Sequence, residues 1–182
     1  MRDGPEEAAQ PLGSSHGPGG RALLASTKYL AIIGGLIFVG IVVMEIVSIV
    51  GRKLFSAPVP GDVELLQMCA AFASASFFAY CHMARGDVKV DFFTHNMRPD
   101  RVAILDAIGS LLVGLFGLLI AWRAGAGALA VKEAGETSAV LGFPVWIAQA
   151  LMVPGFVLLG LAGLYQCVHL LAAAMRYRER GG

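Results

Sequence analysis

The stretch YLAIIGGLIFVGIVVMEIVSIV, residues 29–50, decides the fold of this chain because it is apolar almost throughout. A helix of about 20 apolar residues, rising about 1.5 Å per residue, crosses the hydrocarbon core of a bilayer. Three further stretches have the same character, at residues 63–83, 102–122 and 144–175. None of them alternates apolar and polar residues, so they predict helices rather than the strands of a barrel. The chain is therefore predicted to be an all-α membrane protein with four transmembrane helices.

Composition excludes several other classes of protein. The chain has 182 residues, 57% of them hydrophobic, which suits one compact bundle and leaves too little sequence for a second domain. The net charge of +1 gives no signal about nucleic acid, and the sequence has no basic stripe with interleaved aromatic residues, so no nucleic-acid partner is predicted. The three cysteines lie inside predicted spans, without the spacing of a disulfide framework or a zinc site. Motifs for nucleotide binding or hydrolysis are absent, so no catalytic, cofactor-binding or metal-binding residue is predicted, and the protein is not expected to be an enzyme.

The distribution of basic residues predicts the orientation in the membrane. Ten of the 14 Lys and Arg residues precede the first span, follow the fourth or lie between the second and third. The positive-inside rule then places both termini in the cytoplasm. Residues 1–28 lack the apolar core of a signal peptide and are predicted to form a disordered cytoplasmic tail. The membrane domain is predicted at 29–176, and a second cytoplasmic tail at 177–182.

The middle connection, ARGDVKVDFFTHNMRPD at residues 84–100, alternates charged and apolar residues. This pattern fits a short helix lying in the membrane interface on the cytoplasmic side. The outer connection AGETSAVLGFPVW, residues 134–146, puts Pro144 at a helix start and Trp146 at the depth where amphipathic rings meet the interface. Asp62 is predicted to be the N-cap of the second helix.

The first span contains a charged residue, although placing a charge in hydrocarbon costs a few kcal/mol. Glu45, Ser48 and Arg52 are three and four residues apart and share one helix face near the outer end. Glu45 is expected to face protein, pairing either with Arg52 through a water or with a group on a neighbouring helix. The alternative is a proton or cation site, for which the last two spans offer little at this depth beyond Gln149.

Two further patterns predict helix contacts. In the third span, small residues recur every three or four positions and share one helix face: Ser110, Gly114, Gly117, Ala121 and Gly125. Such a face allows a second helix to approach closely. The alternative is that the groove binds a ligand. In the second span, one face predicts either helix packing or contact with a partner subunit: Glu64, Gln67, Ala71, Ser74, Phe78 and His82. His82 and His169, near the cytoplasmic helix ends, allow the alternative that the chain ligates a haem.

Three motifs in order resemble one known family. The first is Arg52-Lys53-Leu54-Phe55 with Pro58, Pro60 and Glu64-Leu65. The second is Arg85-Gly86-Asp87-Val88-Lys89-Val90-Asp91, and the third is Ser138-Ala139-Val140-Leu141-Gly142-Phe143-Pro144-Val145-Trp146. Together they are similar to the small membrane subunit of tripartite ATP-independent periplasmic (TRAP) transporters, the DctQ-like subunit. The chain departs from the family pattern at Asp87, where histidine is usual, and at Glu45, where an apolar residue is usual.

The resemblance implies a subunit of a bacterial inner-membrane transporter that has no cofactor and no catalysis of its own. Its implied partners are a large multispanning permease subunit, a periplasmic substrate-binding protein and membrane lipid, serving uptake of an organic acid, typically a carboxylate, on an ion gradient that is usually sodium. Seven residues are predicted to contact the partner subunits: Glu45, Ser48, Arg52, Glu64, Gln67, Pro144 and Trp146. A haem- or quinone-linked anchor of an oxidoreductase and an autonomous small transporter are the alternatives.

Overall fold

The computed structural model describes residues 18–84 and 99–180, and the side chains of 19–84 and 101–175. Four α-helices make up nearly all of this part of the chain: α1(Pro18–Phe55), α2(Asp62–Met83), α3(Pro99–Ala134) and α4(Val145–Arg180). Each is long and apolar enough to cross a membrane. Among the described residues the only β pairing is an isolated bridge between Thr137 and Pro144. The predicted all-α architecture with four spans is therefore confirmed.

Three helices extend beyond the predicted apolar spans. α1 begins at Pro18, so residues 18–28 continue the helix instead of belonging to a disordered tail. α3 continues past residue 122 to Ala134, and α4 includes residues 177–180 of the predicted C-terminal tail. Leaving hydrocarbon does not end a helix, and the alanine-rich sequence at 123–134 favours its continuation. Residues 1–17 of the predicted tail, residues 85–98 of the predicted interfacial helix and residues 181–182 lie outside the described part of the chain.

The helices form an open row, in the order α1, α2, α4, α3. α1 packs on α2, α2 on α4 and α4 on α3, while α1 and α4 touch only briefly. Within the described residues, α3 contacts neither α1 nor α2. The expected compact bundle does not form, because lipid gives apolar helix faces no reason to close around a common core. The row therefore leaves broad apolar surfaces exposed on its sides and at its two ends.

The α3–α4 contact is a crossing of glycines. A Cβ atom added at Gly163 would lie 2.5 Å from Gly114 Cα, and one added at Gly117 would lie 2.9 Å from the backbone nitrogen of Gly160. The small-residue stripe of α3 lies at this contact: Ser110 and Ala121 are buried, and Gly125 approaches Val153. α4 occupies the groove that the small residues of α3 leave open, so backbone packs directly against backbone.

The α1–α2 contact uses a narrow stripe of α1. Thr27, Gly34, Ile41 and Ser48 are buried at intervals of seven residues, the repeat of helices that wind slowly around each other. A Cβ at Gly34 would lie 3.0 Å from the Cβ of Ser76 and 3.3 Å from the Cα of Ala73, so α1 and α2 approach closely there. Only 11% of the most apolar part of α1 is buried, which makes it the least covered of the four helices.

The α2–α4 contact joins the two halves of the row. A Cβ added at Gly155 would meet the backbone of Ala75 at 2.8 Å. At the C-terminal end of α2, Gln166 Nε2 donates to the carbonyl oxygens of His82 and Met83 at 3.4 and 3.3 Å. These carbonyls belong to the last turn of α2, where the helix itself supplies no donor. The buried side-chain amide of Gln166 on α4 thus supplies hydrogen bonds to the last carbonyl groups of α2.

Candidate functional site

Most polar side-chain contacts of the described residues lie on one membrane face of the row, the face that the positive-inside rule predicts to be the outer one. Two connections meet there, residues 56–61 between α1 and α2 and residues 135–144 between α3 and α4. We call these two connections, together with Asp62 and Glu64, the outer platform. Its carboxylates hold the connections to the helices.

Asp62 is the centre of the first half of the outer platform. Its Oδ2 accepts hydrogen bonds from Ser48 Oγ at 2.6 Å and from Arg52 Nη2 at 2.7 Å. Ser48 Oγ in turn accepts the backbone N–H of Val59 at 3.2 Å, so the serine links α1, the connection and α2. The side chain of Asp62 is 11% exposed, whereas that of Arg52 is 58% exposed. The structure therefore directs Arg52 to Asp62 and not to Glu45.

Asp62 is not the N-cap that the sequence predicted. Gly61 occupies that position with φ 73° and contributes no side-chain hydrogen bond, and Asp62 is the first helical residue. The carboxylate of Asp62 is drawn to Ser48 and Arg52 on α1, and its other oxygen accepts only the neighbouring N–H of Val63. A positive φ suits glycine because it has no Cβ, so the turn into α2 depends on Gly61.

Glu64 holds the second half of the outer platform. Its carboxylate oxygens accept the backbone N–H groups of Val140 at 3.0 Å and Leu141 at 3.2 Å. The Ser138 side chain and the Ala139 backbone also interact with this carboxylate. Successive N–H groups that point into one concavity form a site for an anion, which here is a side chain of the same protein. The connection is thus fastened to α2 by a single carboxylate.

The two connections also touch each other. A Cβ added at Gly61 would lie 2.5 Å from Leu141 Cγ, so the Leu141 side chain rests on the turn that precedes α2. The connection at 135–144 is itself closed by a hydrogen bond from the Ser138 N–H to the Phe143 carbonyl at 2.8 Å. Gly142 turns the chain with φ 64°. The outer platform is therefore one continuous hydrogen-bonded and packed surface.

The other predicted contact residues lie around the outer platform. Pro144 directly precedes α4, and the ring of Trp146 lies 4.9 Å below Lys132 Nζ in a cation–π contact. Gln67 is exposed and lines a cleft of about 340 Å³, together with Glu64, Ser138 and Gln149. On the α1 side, Leu65, Phe72 and Ile147 line an apolar pocket of about 180 Å³.

Glu45 and Gln149 do not converge as the cation-site alternative requires. Gln149 faces α3, where a Cβ at Gly127 would lie 3.6 Å from its Oε1, whereas Glu45 lies on α1, which does not contact α3. Glu45 Oε1 and Gln149 Oε1 are both buried, and neither has a hydrogen-bond partner among the described residues. In the same part of the chain, no three His, Cys, Asp or Glu residues are grouped to hold a metal ion.

Sequence reasoning placed Ser48, Arg52 and Glu64 at contacts with other subunits, whereas the structure uses them within the chain. Asp62 was predicted to be the N-cap of the second helix. A signal was present, because an acid directly after a Pro-containing turn faces the end of the preceding helix, where Ser48 and Arg52 share one face. The partners of Glu64 gave no such signal, since Val140 is 76 residues away.

Replacing Glu64 with glutamine is expected to loosen residues 138–142 without unfolding the helices. The amide keeps one acceptor oxygen and loses the charge, so at least one N–H of the connection loses its partner. Hydrogen exchange of the amides of Val140 and Leu141 should accelerate roughly tenfold. Glu133→Gln, at the exposed end of α3, is the matched control and should leave these amides unchanged. Equal protection in both variants would show that the carboxylate does not hold the connection.

Comparison with known proteins identifies one family. A family model described as "Tripartite ATP-independent periplasmic transporters, DctQ component" matches residues 31–173, which includes parts of all four helices and both halves of the outer platform. No curated protein and no solved structure matches the chain.

Proposed function

The chain belongs to the DctQ component family of tripartite ATP-independent periplasmic transporters, and on this basis we propose that it braces the large permease subunit of such a transporter. It is a small multi-pass subunit in the bacterial inner membrane. In the proposed role it enlarges the static part of the permease, so that a moving transport domain has a fixed neighbour. The complex takes up an organic acid, a carboxylate, driven by an ion gradient such as sodium.

The open row of helices is the observation that supports this role. A closed bundle would bury its apolar side chains internally, whereas here the most apolar parts of α1, α2, α3 and α4 are 11%, 28%, 28% and 33% buried. A row one helix thick has no central pathway and presents long apolar surfaces sideways within the membrane. Such a shape suits a protein whose contacts lie with another membrane subunit and with lipid.

The outer platform supports a second part of the proposal, that the subunit helps to dock the periplasmic binding protein. Its two connections are held by Asp62 and Glu64, so they present one defined shape. Glu133 at the end of α3 and Glu136 within the platform are exposed, and they do not take part in the hydrogen bonds that engage Asp62 and Glu64. In this proposal Glu133 and Glu136 contact the binding protein, whereas Asp62 and Glu64 hold the two connections in place. Preorganisation of this kind reduces the entropy lost on binding.

Uptake measurements test the proposal. Proteoliposomes that hold the large permease subunit should take up a radiolabelled carboxylate bound by the cognate binding protein only when this chain is present, with uptake at background in its absence. The tagged chain should also recover the large subunit from native membranes. Uptake by this chain alone would instead indicate an autonomous transporter. A Soret band that is lost in His82→Ala or His169→Ala would instead indicate a haem-bearing anchor.

A further inference from the structure

α1 stands at one end of the row and is mostly uncovered. Its contact with α2 follows the seven-residue stripe of Thr27, Gly34, Ile41 and Ser48, with Phe38 edge-to-face on Phe77 beside it and Arg52 on Asp62 at its end. α1 nevertheless has the highest mean hydropathy of the four helices. Its remaining surface therefore faces either lipid or another protein.

Glu45 interrupts this apolar surface, and one oxygen of its carboxylate is left without a partner in the described part of the chain. Its Oε1 atom is buried and has no hydrogen-bond partner among the described residues. Ser48 and Arg52 follow on the same helix face, but both donate to Asp62. The next cation, Lys53, is about 12 Å further along the helix axis, at about 1.5 Å per residue. The Ser48 hydroxyl and one nitrogen of the Arg52 guanidinium are thus engaged by Asp62 and not by Glu45.

An ionised carboxylate at this depth needs a charged partner. Burying one without a counter-charge is strongly unfavourable, and charged groups within membranes are usually paired with one another or face a protein interior. A lipid ammonium group does not suit, because Glu45 lies about 10 Å deeper along α1 than Arg52, where the chain leaves the apolar span, at about 1.5 Å per residue. We therefore expect the partner of the Glu45 carboxylate to be a basic side chain on another transmembrane helix.

The surroundings of Glu45 suit such a helix. Val42 and Ile49 lie three residues before and four residues after it, on the same face, and their side chains are 41% and 55% exposed. Glu45 itself is half-buried, and an apolar rim that excludes water around a central contact is typical of residues that dominate an interface. The charge gives the contact its register, and the rim excludes water and lipid.

We propose that α1 docks against the large permease subunit and that Glu45 forms an ion pair there with an Arg or Lys of a transmembrane helix. This inference rests on the proposed function and assigns the face through which the chain braces its partner. It also separates two sets of polar residues. Ser48, Arg52 and Glu64 stabilise this chain, whereas Glu45 serves the partner.

Co-purification from native membranes tests the assignment. Tagged chain carrying Glu45→Gln should recover roughly tenfold less large subunit than the wild type, and Glu45→Lys should recover almost none, because it opposes two positive charges. Arg123→Gln, which also replaces one charge with an amide but on the exposed surface of α3, should recover the wild-type amount. Glu45→Leu distinguishes a folding defect from a docking defect, since removal of an unpaired carboxylate should leave the chain inserted and helical by circular dichroism while the large subunit is lost.

Photo-crosslinking provides an independent readout. A photoreactive residue at Ile49 should crosslink to the large subunit, whereas one at Phe116, exposed on α3 at the other end of the row, should give far less product. Wild-type recovery with Glu45→Leu, or crosslinking from Phe116 with none from Ile49, would overturn the assignment of this face. If the wild-type chain itself recovers no large subunit, the proposed function fails, and that result is distinct from an unaffected Glu45 variant.

Discussion

Gly163→Val is expected to separate α3 from α4 and to give the largest loss of stability among the substitutions considered. A Cβ at this position would lie 2.5 Å from Gly114 Cα, 2.6 Å from Gly114 N and 2.6 Å from the Ser110 carbonyl oxygen. All three are backbone atoms, so no side-chain rotation relieves the overlap and the helices must move apart. We expect a loss of about 3 kcal/mol or more, at the upper end of what overpacking costs. Among the described residues α3 contacts only α4, so loss of this contact should detach α3 from the rest of the row.

The matched control is Gly109→Val on α3. A Cβ at Gly109 has nothing within 4 Å, so this variant makes the same chemical change in a helix without the overlap. Unfolding should be followed by circular dichroism during denaturing-detergent titration, together with the monodisperse fraction after heating. We expect Gly109→Val to behave as the wild type and Gly163→Val to lose helix packing at much lower detergent. Similar curves for the two variants would contradict the glycine crossing.

Asp62→Ala is expected to have the second-largest effect, centred on the outer platform. The substitution removes the acceptor of three donors at once, namely Ser48 Oγ, Arg52 Nη2 and the Val63 N–H. Ser48 is fully buried, so its hydroxyl loses its acceptor with little access to water. Residues 57–63 should lose protection against hydrogen exchange by roughly tenfold or more, because the connection is held mainly by this network.

Two further variants separate the causes of this effect. Asp62→Asn keeps an acceptor for Ser48 and removes the charge facing Arg52, so its loss of protection should be intermediate. Glu136→Ala, which removes an exposed carboxylate from the other connection, should leave residues 57–63 unchanged. If Asp62→Ala exchanges no faster than Glu136→Ala, the network contributes nothing to the order of the outer platform. Docking of the binding protein should weaken in parallel with the loss of protection, since the proposed docking surface depends on it.

Hydropathy predicted the number and kind of helices well because the signal is physical and local. An apolar run of the length of residues 29–50 has few stable alternatives to a helix in lipid. The spacing of Gly114 and Gly117 likewise put two small residues on one face of α3, and α4 packs there. The helix ends were harder to predict, since Pro18 and Ala134 lie beyond the apolar runs. There, only helix propensity indicates how far the helix continues.

The sequence by itself determined that four apolar helices cross the membrane, where small residues allow close contact, and that Glu45 needs a partner. Only the tertiary structure decided the order α1, α2, α4, α3 and the partners of Asp62 and Glu64. Periodicity marks which face of a helix can be approached, but it does not say which helix approaches it. In lipid, where apolar surface need not be buried, that choice depends on backbone fit and on a few polar contacts between residues far apart in the chain.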